Sequence, residues 1–166
     1  GRLFVALLKV TKRKAAHRLH WPPLRAAVGG AVTIALLLLC GRDYLGLSTH
    51  LYYSAIAGNH VDIWVPLLKM LFTVVALGTG FVGGEVLPLF VMGSTFGAAV
   101  APGLHVNAPM LASAAAPAAF ASAASVTLTG VVLTVEQFGW GTLWPALIVG
   151  VFARLAAGRP GLYVAH

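Results

Sequence analysis

The residues best suited to chemistry lie at positions 83–88, which read Gly-Gly-Glu-Val-Leu-Pro. Pro88 indicates the start of a helix, so the backbone N–H groups just before it have no intrahelical partner and lie at the positive end of the helix dipole. Gly83 and Gly84 let the backbone approach an ion closely. The pattern therefore predicts an anion site without a basic side chain, which releases an anion more readily than a fixed Lys or Arg would. A glycine-rich hinge that only kinks a membrane helix would have the same pattern.

Two acidic residues and one serine are further candidates for chemistry. Glu85 is a candidate proton carrier, because ionisable residues inside a membrane are usually functional. A carboxylate that faces an anion would repel it, so we expect the Glu85 side chain to point away and act structurally. Glu136 ends an apolar helix and is expected to make a buried or interfacial polar contact. Ser94 superficially suits the nucleophile of an intramembrane protease, but no Ser/His pair has a supporting context, so we predict no catalytic residue and no enzymatic activity.

Cysteine and histidine do not indicate a metal site or a cofactor. Cys40 is the only cysteine, which excludes an internal disulfide and a multi-cysteine metal site. Of the six histidines, His17 and His20 form the only close pair, and they lie in a basic stretch where solvated positions are expected. We therefore predict no metal and no cofactor.

The composition is that of a membrane protein. Of the 166 residues 59% are hydrophobic and 9% are charged, and the mean hydropathy is +0.89. Soluble domains carry about 25% charged residues, so this chain has too few to cover a water-facing surface. Residues 86–135 contain no charged residue. As one straight helix they would extend about 75 Å, against a hydrocarbon core of about 30 Å, so the segment must break and re-enter.

The net charge of +7 comes largely from one basic stretch between two apolar segments. The basic residues of this stretch are Lys9, Lys12, Arg13, Lys14, Arg18 and Arg25. Such a cluster is typical of a cytoplasmic loop under the positive-inside rule, and we assign residues 11–25 to that loop. Nucleic acid is not expected as a partner.

The apolar segments predict an all-α integral membrane protein of about eight to ten uneven helices without a sheet. The predicted helices cover residues 3–10, 22–40, 45–58, 63–77, 88–100, 110–124 with an interruption at Pro117, 128–138 and 143–157, and a loop is expected at 101–109. Many of these are shorter than the ~20 residues needed to span a bilayer. Broken helices at membrane depth are tolerated where they are buried in protein or line a cavity, as in secondary transporters.

Three motifs resemble one known family, that of the CLC chloride channels and proton-coupled antiporters. The stretch GGEVLPLFVMGSTFGAAVAP at residues 83–102 resembles the signature of the family's second half. LTGVVLTVE at 128–136 is similar to its LTG…LE segment, and GRPGLY at 158–163 is similar to its closing motif. The resemblance runs from residue 3 to residue 163 with the motifs in the family's order.

The resemblance implies a fold and a function. Residues 1–166 would be the C-terminal half of a CLC-type transmembrane domain, a second repeat of tilted, broken and re-entrant helices within a longer chain. The function implied is halide transport, of chloride or fluoride, by a channel or by an anion/proton antiporter. GGEV, with YLGL at 44–47, looks most like the fluoride-exporting branch, although Leu87 stands where that branch generally has Thr. A structural or partner-binding membrane subunit without transport activity is the alternative.

The resemblance also implies a site, an assembly and a location. The anion site would comprise Gly84, Glu85, Val86 and Leu87 together with the hydroxyl of Tyr163, although a tyrosine at the membrane interface is an alternative for Tyr163. The partners implied are a halide anion, protons in the case of an antiporter, the lipid bilayer and a second copy of the chain. Residues 128–138 and 143–157 would lie at the homodimer interface. The location implied is a multi-pass position in a bacterial inner or plasma membrane.

Overall fold

The computed structural model of the chain describes residues 1–157, except for the side chains of residues 127, 153, 154, 156 and 157. Within that range the chain forms eight α-helices and one short 3₁₀ turn, with no strand. The helices are α1 (Arg2–Arg18), α2 (Pro22–Cys40), α3 (Thr49–Ile56), α4 (Trp64–Gly78), α5 (Val86–Leu104), α6 (Ala108–Ala124), α7 (Thr127–Phe138) and α8 (Leu143–Ala157), and the 3₁₀ turn covers Trp140–Thr142. The prediction of an all-helical chain is confirmed for these residues.

Two of the described helices, α2 and α5, are long and apolar enough to cross a membrane by length and composition. Each has 19 residues, which corresponds to about 28 Å at ~1.5 Å per residue. Helix α5 is largely buried by its neighbours, whereas α2 is mostly uncovered, with Leu38 80% and Leu39 82% exposed. Exposed leucines of this kind fit a helix whose surroundings are lipid or protein.

The basic stretch is organised differently from the loop predicted at residues 11–25. Helix α1 continues to Arg18, so only residues 19–21 connect it to α2. Lys, Arg and Ala favour helix, and cations near a helix C-terminus are stabilised by its dipole, so charge alone does not mark a loop. The loop assignment is wrong in its bounds, while its cytoplasmic position stays a prediction.

Two prolines lie inside helices that the sequence predicted to end or break there. Helix α5 continues through Pro102 to Leu104, and α6 runs through Pro117 without interruption. The predicted loop at 101–109 is therefore reduced to residues 105–107. It ends at Asn107, whose side chain accepts the N–H of Met110 at 3.1 Å and caps α6. Packed neighbouring helices can hold a helix together where proline removes one backbone hydrogen bond.

Helix α5 is central to the packing of the described residues. It contacts α3, α4 and α6, and its contact with α6 is the most extensive of the three. At the N-terminal end of α5, Leu89 and Met92 join an apolar cluster with Phe4 and Leu8 of α1 and Val74 of α4. This cluster fixes the first turn of α5 relative to α4, and so positions the segment between them.

Candidate functional site

The segment between α4 and α5 is the glycine-rich break that the sequence predicted. Helix α4 ends at Gly78, residues 79–85 are not helical, and α5 begins at Val86. The end of α4 is closed by the N–H of Phe81, which donates to the carbonyl of Ala76 at 3.2 Å. Gly80 has φ +100, a conformation that glycine adopts without steric cost. The chain can therefore turn sharply between two packed helices.

The N-terminus of α5 presents backbone donors that no described residue uses. The first hydrogen bond of this helix joins the N–H of Leu89 to the carbonyl of Glu85, at 3.1 Å. Pro88 has no N–H. The N–H groups of Glu85, Val86 and Leu87 have no acceptor among the described residues, and the Glu85 side chain makes no capping bond. Three consecutive free donors at the positive end of a helix can attract an anion.

The side chains around these donors leave the helix end open. Val86 and Leu87 are 38% and 45% exposed, and a Cβ added at Gly84 would meet nothing within 4 Å. Glu85 is half-buried, and among the described residues no cation lies within ion-pair distance of its carboxylate. The backbone is thus accessible to a small ligand.

A cavity of about 210 Å³ lies beside this helix end. Its walls come from α2, the connection between α2 and α3, α4, and the break before α5. The lining residues are Thr33, Tyr44, Leu45, Gly46, Leu47, Lys69, Phe72, Thr73, Ala76, Leu77, Phe81, Val82, Gly83, Gly84 and Pro88. The volume is sufficient for several particles of the size of water, which occupies about 30 Å³ in the liquid.

The predicted site residues occupy different positions relative to this cavity. Gly84 lines it, as does Pro88. Glu85, Val86 and Leu87 lie between them in the chain but do not line it. Tyr163 lies outside the described residues.

A buried lysine that is absent from the predicted site residues forms part of the cavity wall. Lys69 of α4 is 1% exposed, and its ammonium donates to the carbonyl oxygens of Tyr44 (3.2 Å) and Gly46 and to Ser48 Oγ (2.9 Å). The ring of Tyr44 also lies against Phe72 of α4, with centroids 5.9 Å apart. The sequence does contain a signal for this residue, because Lys69 is a single cation within an otherwise apolar helix. Charged residues at membrane depth are rare and functional.

The remaining candidates lie away from this site or are buried. Ser94 is fully buried and donates its hydroxyl to the carbonyl of Val91 at 3.1 Å, so it is not presented as a nucleophile. Glu136 is exposed near the end of α7. Its neighbour Gln137 accepts a hydrogen bond from the Tyr52 hydroxyl at 3.3 Å.

Known proteins resemble this chain along most of its length. Residues 1–158 match the model of a protein family described as "Voltage gated chloride channel". The "Chloride/fluoride channel protein" of Pseudomonas syringae pv. tomato (strain ATCC BAA-871 / DC3000) is 38% identical over 152 residues, which cover 88% of this chain and 34% of that protein. The "H(+)/Cl(-) exchange transporter ClcA" of Vibrio vulnificus (strain YJ016) is 29% identical over 143 residues, covering 75% of this chain and 30% of that protein.

A solved structure has the same arrangement of helices. The crystal structure of a CLC-type fluoride/proton antiporter superimposes with a TM-score of 0.94 at 29% sequence identity, covering 98% of this chain and 42% of that one. The CLC-like helical membrane fold predicted from the sequence is thereby confirmed. The chain spans about a third of the length of the curated relatives that it matches. The assignment of residues 1–166 to the C-terminal half stays a prediction.

Proposed function

The chain belongs to the voltage-gated chloride channel (CLC) family, and on that premise we propose that the protein carrying it transports a halide anion, chloride or fluoride, across a membrane. The relatives that it resembles are named as a channel, an exchange transporter and an antiporter. Two of the three names include fluoride, and two include exchange with protons. Both anions and both modes of transport therefore belong in the test.

The observation that carries the proposal is the free N-terminus of α5. Three consecutive N–H groups, of Glu85, Val86 and Leu87, have no acceptor among the described residues, and the residues on either side of them, Gly84 and Pro88, line a cavity. Backbone donors bind a halide without the strong pairing that a lysine or arginine would impose, and conduction requires binding that is weak enough for release. The site can therefore select an anion and still let it leave.

The residues of the site have separate roles in this proposal. Gly84 leaves room for the anion to approach the backbone, and Glu85, Val86 and Leu87 supply the donors. The hydroxyl of Tyr163 is proposed as a further ligand. The Glu85 carboxylate is turned away from the anion and carries no proton in transport, because a negative charge at the site would repel a halide.

The proposed setting is a homodimer in a bacterial inner or plasma membrane. Val132 of α7 and Ile148 of α8 are 55% and 56% exposed, and Leu143 near them in sequence is partly exposed. Apolar side chains of this kind can pack against a second copy or against lipid. A monodisperse monomer of the complete protein, in mild detergent and in bilayers, would contradict the dimer.

The direct test is efflux from proteoliposomes that contain the complete protein carrying this chain. Vesicles loaded with fluoride or with chloride should release the anion after an ionophore removes the opposing voltage, and empty vesicles should not. Proton uptake recorded in the same experiment distinguishes exchange from passive conduction. Protein that inserts and is folded but releases neither anion would contradict the proposal, and would favour a structural membrane subunit.

A further inference from the structure

We propose that Lys69 is a positioning residue of the halide pathway: it holds residues 44–47 as one wall of the cavity and supplies the buried positive charge that draws the anion into it. The inference rests on the proposed function. It deepens that function by assigning a second source of anion attraction, separate from the N-terminus of α5.

The contacts of Lys69 organise an irregular piece of chain. Its three acceptors come from alternate positions of the connection between α2 and α3, namely Tyr44, Gly46 and Ser48. Gly46 has φ +66, a left-handed conformation suited to glycine, and its carbonyl faces the ammonium. Without this ammonium the segment would lose three hydrogen bonds at once. Lys69 therefore determines where Tyr44 and Gly46 stand in the cavity wall.

The hydrogen bonds of Lys69 fit its charged form. The Ser48 hydroxyl donates to the carbonyl of Leu45 at 3.3 Å, so its oxygen acts as an acceptor for the lysine. The two remaining contacts are to carbonyl oxygens, which only accept. Three donated hydrogen bonds require three N–H groups, which an ammonium has and a neutral amine lacks.

No negative group of the described residues neutralises this charge. All of the Asp and Glu residues lie within the described part, and none is within ion-pair distance of Lys69. Asp43 and Asp62 are exposed and lie 3.7 Å and 3.9 Å from the histidines His50 and His60. A buried cation without a counterion is costly. A halide in the adjoining cavity would offset part of that cost.

The same geometry keeps Lys69 from holding the anion tightly. All three N–H groups already donate to oxygens of the segment 44–48, so none is free to bind a halide directly. Its influence is a Coulomb attraction that acts over several ångströms in a medium of low dielectric constant. Such an attraction raises anion occupancy without adding a direct bond that must be broken when the anion is released.

The test separates the charge from the hydrogen bonds. Initial fluoride and chloride efflux is measured against anion concentration in proteoliposomes containing the complete protein, which gives KM and maximal rate. Lys69→Gln removes the charge but keeps a donor, Lys69→Arg keeps the charge, and Ser48→Ala removes one acceptor but leaves the charge. Ser94→Ala, which deletes a buried hydroxyl that does not line the cavity, is the matched control.

We expect Lys69→Gln to raise KM about ten-fold, as loss of one charge several ångströms from the anion implies, with a much smaller change in maximal rate. The KM should stay within about two-fold of the wild-type value in the three variants that retain the charge, which are Lys69→Arg, Ser48→Ala and Ser94→Ala. If Lys69→Gln is not recovered as folded protein, Lys69→Met takes its place, because methionine is unbranched and apolar. The same rise in KM is expected for Lys69→Met. Size-exclusion chromatography and thermal unfolding establish that each variant is folded.

Two results would overturn the inference. One is a wild-type KM in a folded neutral variant of Lys69. The other is a rise in KM for Ser48→Ala as large as that for Lys69→Gln, which would mean that the tether matters and the charge does not. Neither result contradicts the proposed function as long as the wild-type protein transports a halide. A wild-type protein without halide flux would contradict the proposed function itself.

Discussion

A Cβ atom added to Gly97 would lie 2.7 Å from the carbonyl oxygen of Leu111, so helices α5 and α6 are in backbone contact at this point. Gly93, one turn earlier, faces the backbone of Ala115 and Ala116 in the same way. Small residues allow membrane helices to approach this closely. The contact fixes the axis of α5, and with it the direction of the N–H groups of Glu85, Val86 and Leu87 at its N-terminus.

Gly97→Val should therefore destabilise the protein by separating α5 from α6. Overpacking of a well-packed interior costs about 1–3 kcal/mol. Gly103→Ala is the matched control, because Gly103 lies in the same helix and a Cβ there meets nothing within 4 Å. Thermal unfolding in detergent should show a lower midpoint for Gly97→Val and an unchanged or higher one for Gly103→Ala. Equal midpoints for the two variants would contradict the close contact.

Val86→Pro tests whether the backbone donors at the start of α5 bind the anion. Val86 is the first residue of α5, a position where proline is tolerated, so the variant deletes one N–H and keeps the helix. Halide efflux should nearly vanish, while Val86→Ala, which keeps the N–H, should retain most of the activity.

A folding check accompanies Val86→Pro, because proline disfavours the helical conformation that Glu85 has at φ −84 and ψ −13. The variant should insert into the membrane and elute from size-exclusion chromatography like the wild type. If it did so and released fluoride and chloride at wild-type rates, the assignment of the anion site to this helix end would be wrong.

Glu85→Gln tests the structural role assigned to that acid. The substitution removes the charge and keeps the size of the side chain, so anion efflux should survive. The ratio of protons to anions moved should also change little, because the carboxylate carries no proton in the proposed mechanism. Simultaneous recording of external pH and halide concentration gives that ratio. A loss of proton movement with anion efflux retained would instead identify Glu85 as a proton carrier.

Leu87→Thr tests the relation to the fluoride-exporting branch. Threonine places a hydroxyl next to the free N–H groups, where Leu87 now has an apolar side chain that is 45% exposed. A hydrogen bond to a charged group such as a halide contributes about 1.5–3 kcal/mol, and a difference of about 1 kcal/mol between the two anions corresponds to roughly a five-fold change in preference. The ratio of fluoride to chloride efflux should therefore rise by about this five-fold factor. Leu87→Val, which is close to threonine in shape but lacks the hydroxyl, is the control and should leave the ratio unchanged.

Local sequence patterns were sufficient for most of the helices and for the break between α4 and α5. Four glycines in residues 78–84 and a proline at 88 act on the backbone where they stand, so their effect does not depend on distant residues. The same reasoning failed at Pro117 and at the basic stretch before Arg18. Proline within a helix can be tolerated when neighbouring helices pack around it, and lysine is common both in helices and in loops.

The sequence by itself determined that this chain is an apolar, helical membrane protein with a glycine-rich break before a helix start, because composition, glycine and proline act through short-range physics. Only the tertiary structure decided that Lys69 meets Tyr44, Gly46 and Ser48, which precede it by 25, 23 and 21 residues. An ammonium has no preferred partner among backbone oxygens until packing brings particular ones within reach. The packing of α4 against the connection between α2 and α3 brings these three oxygens to Lys69, and it places a buried charge beside the cavity.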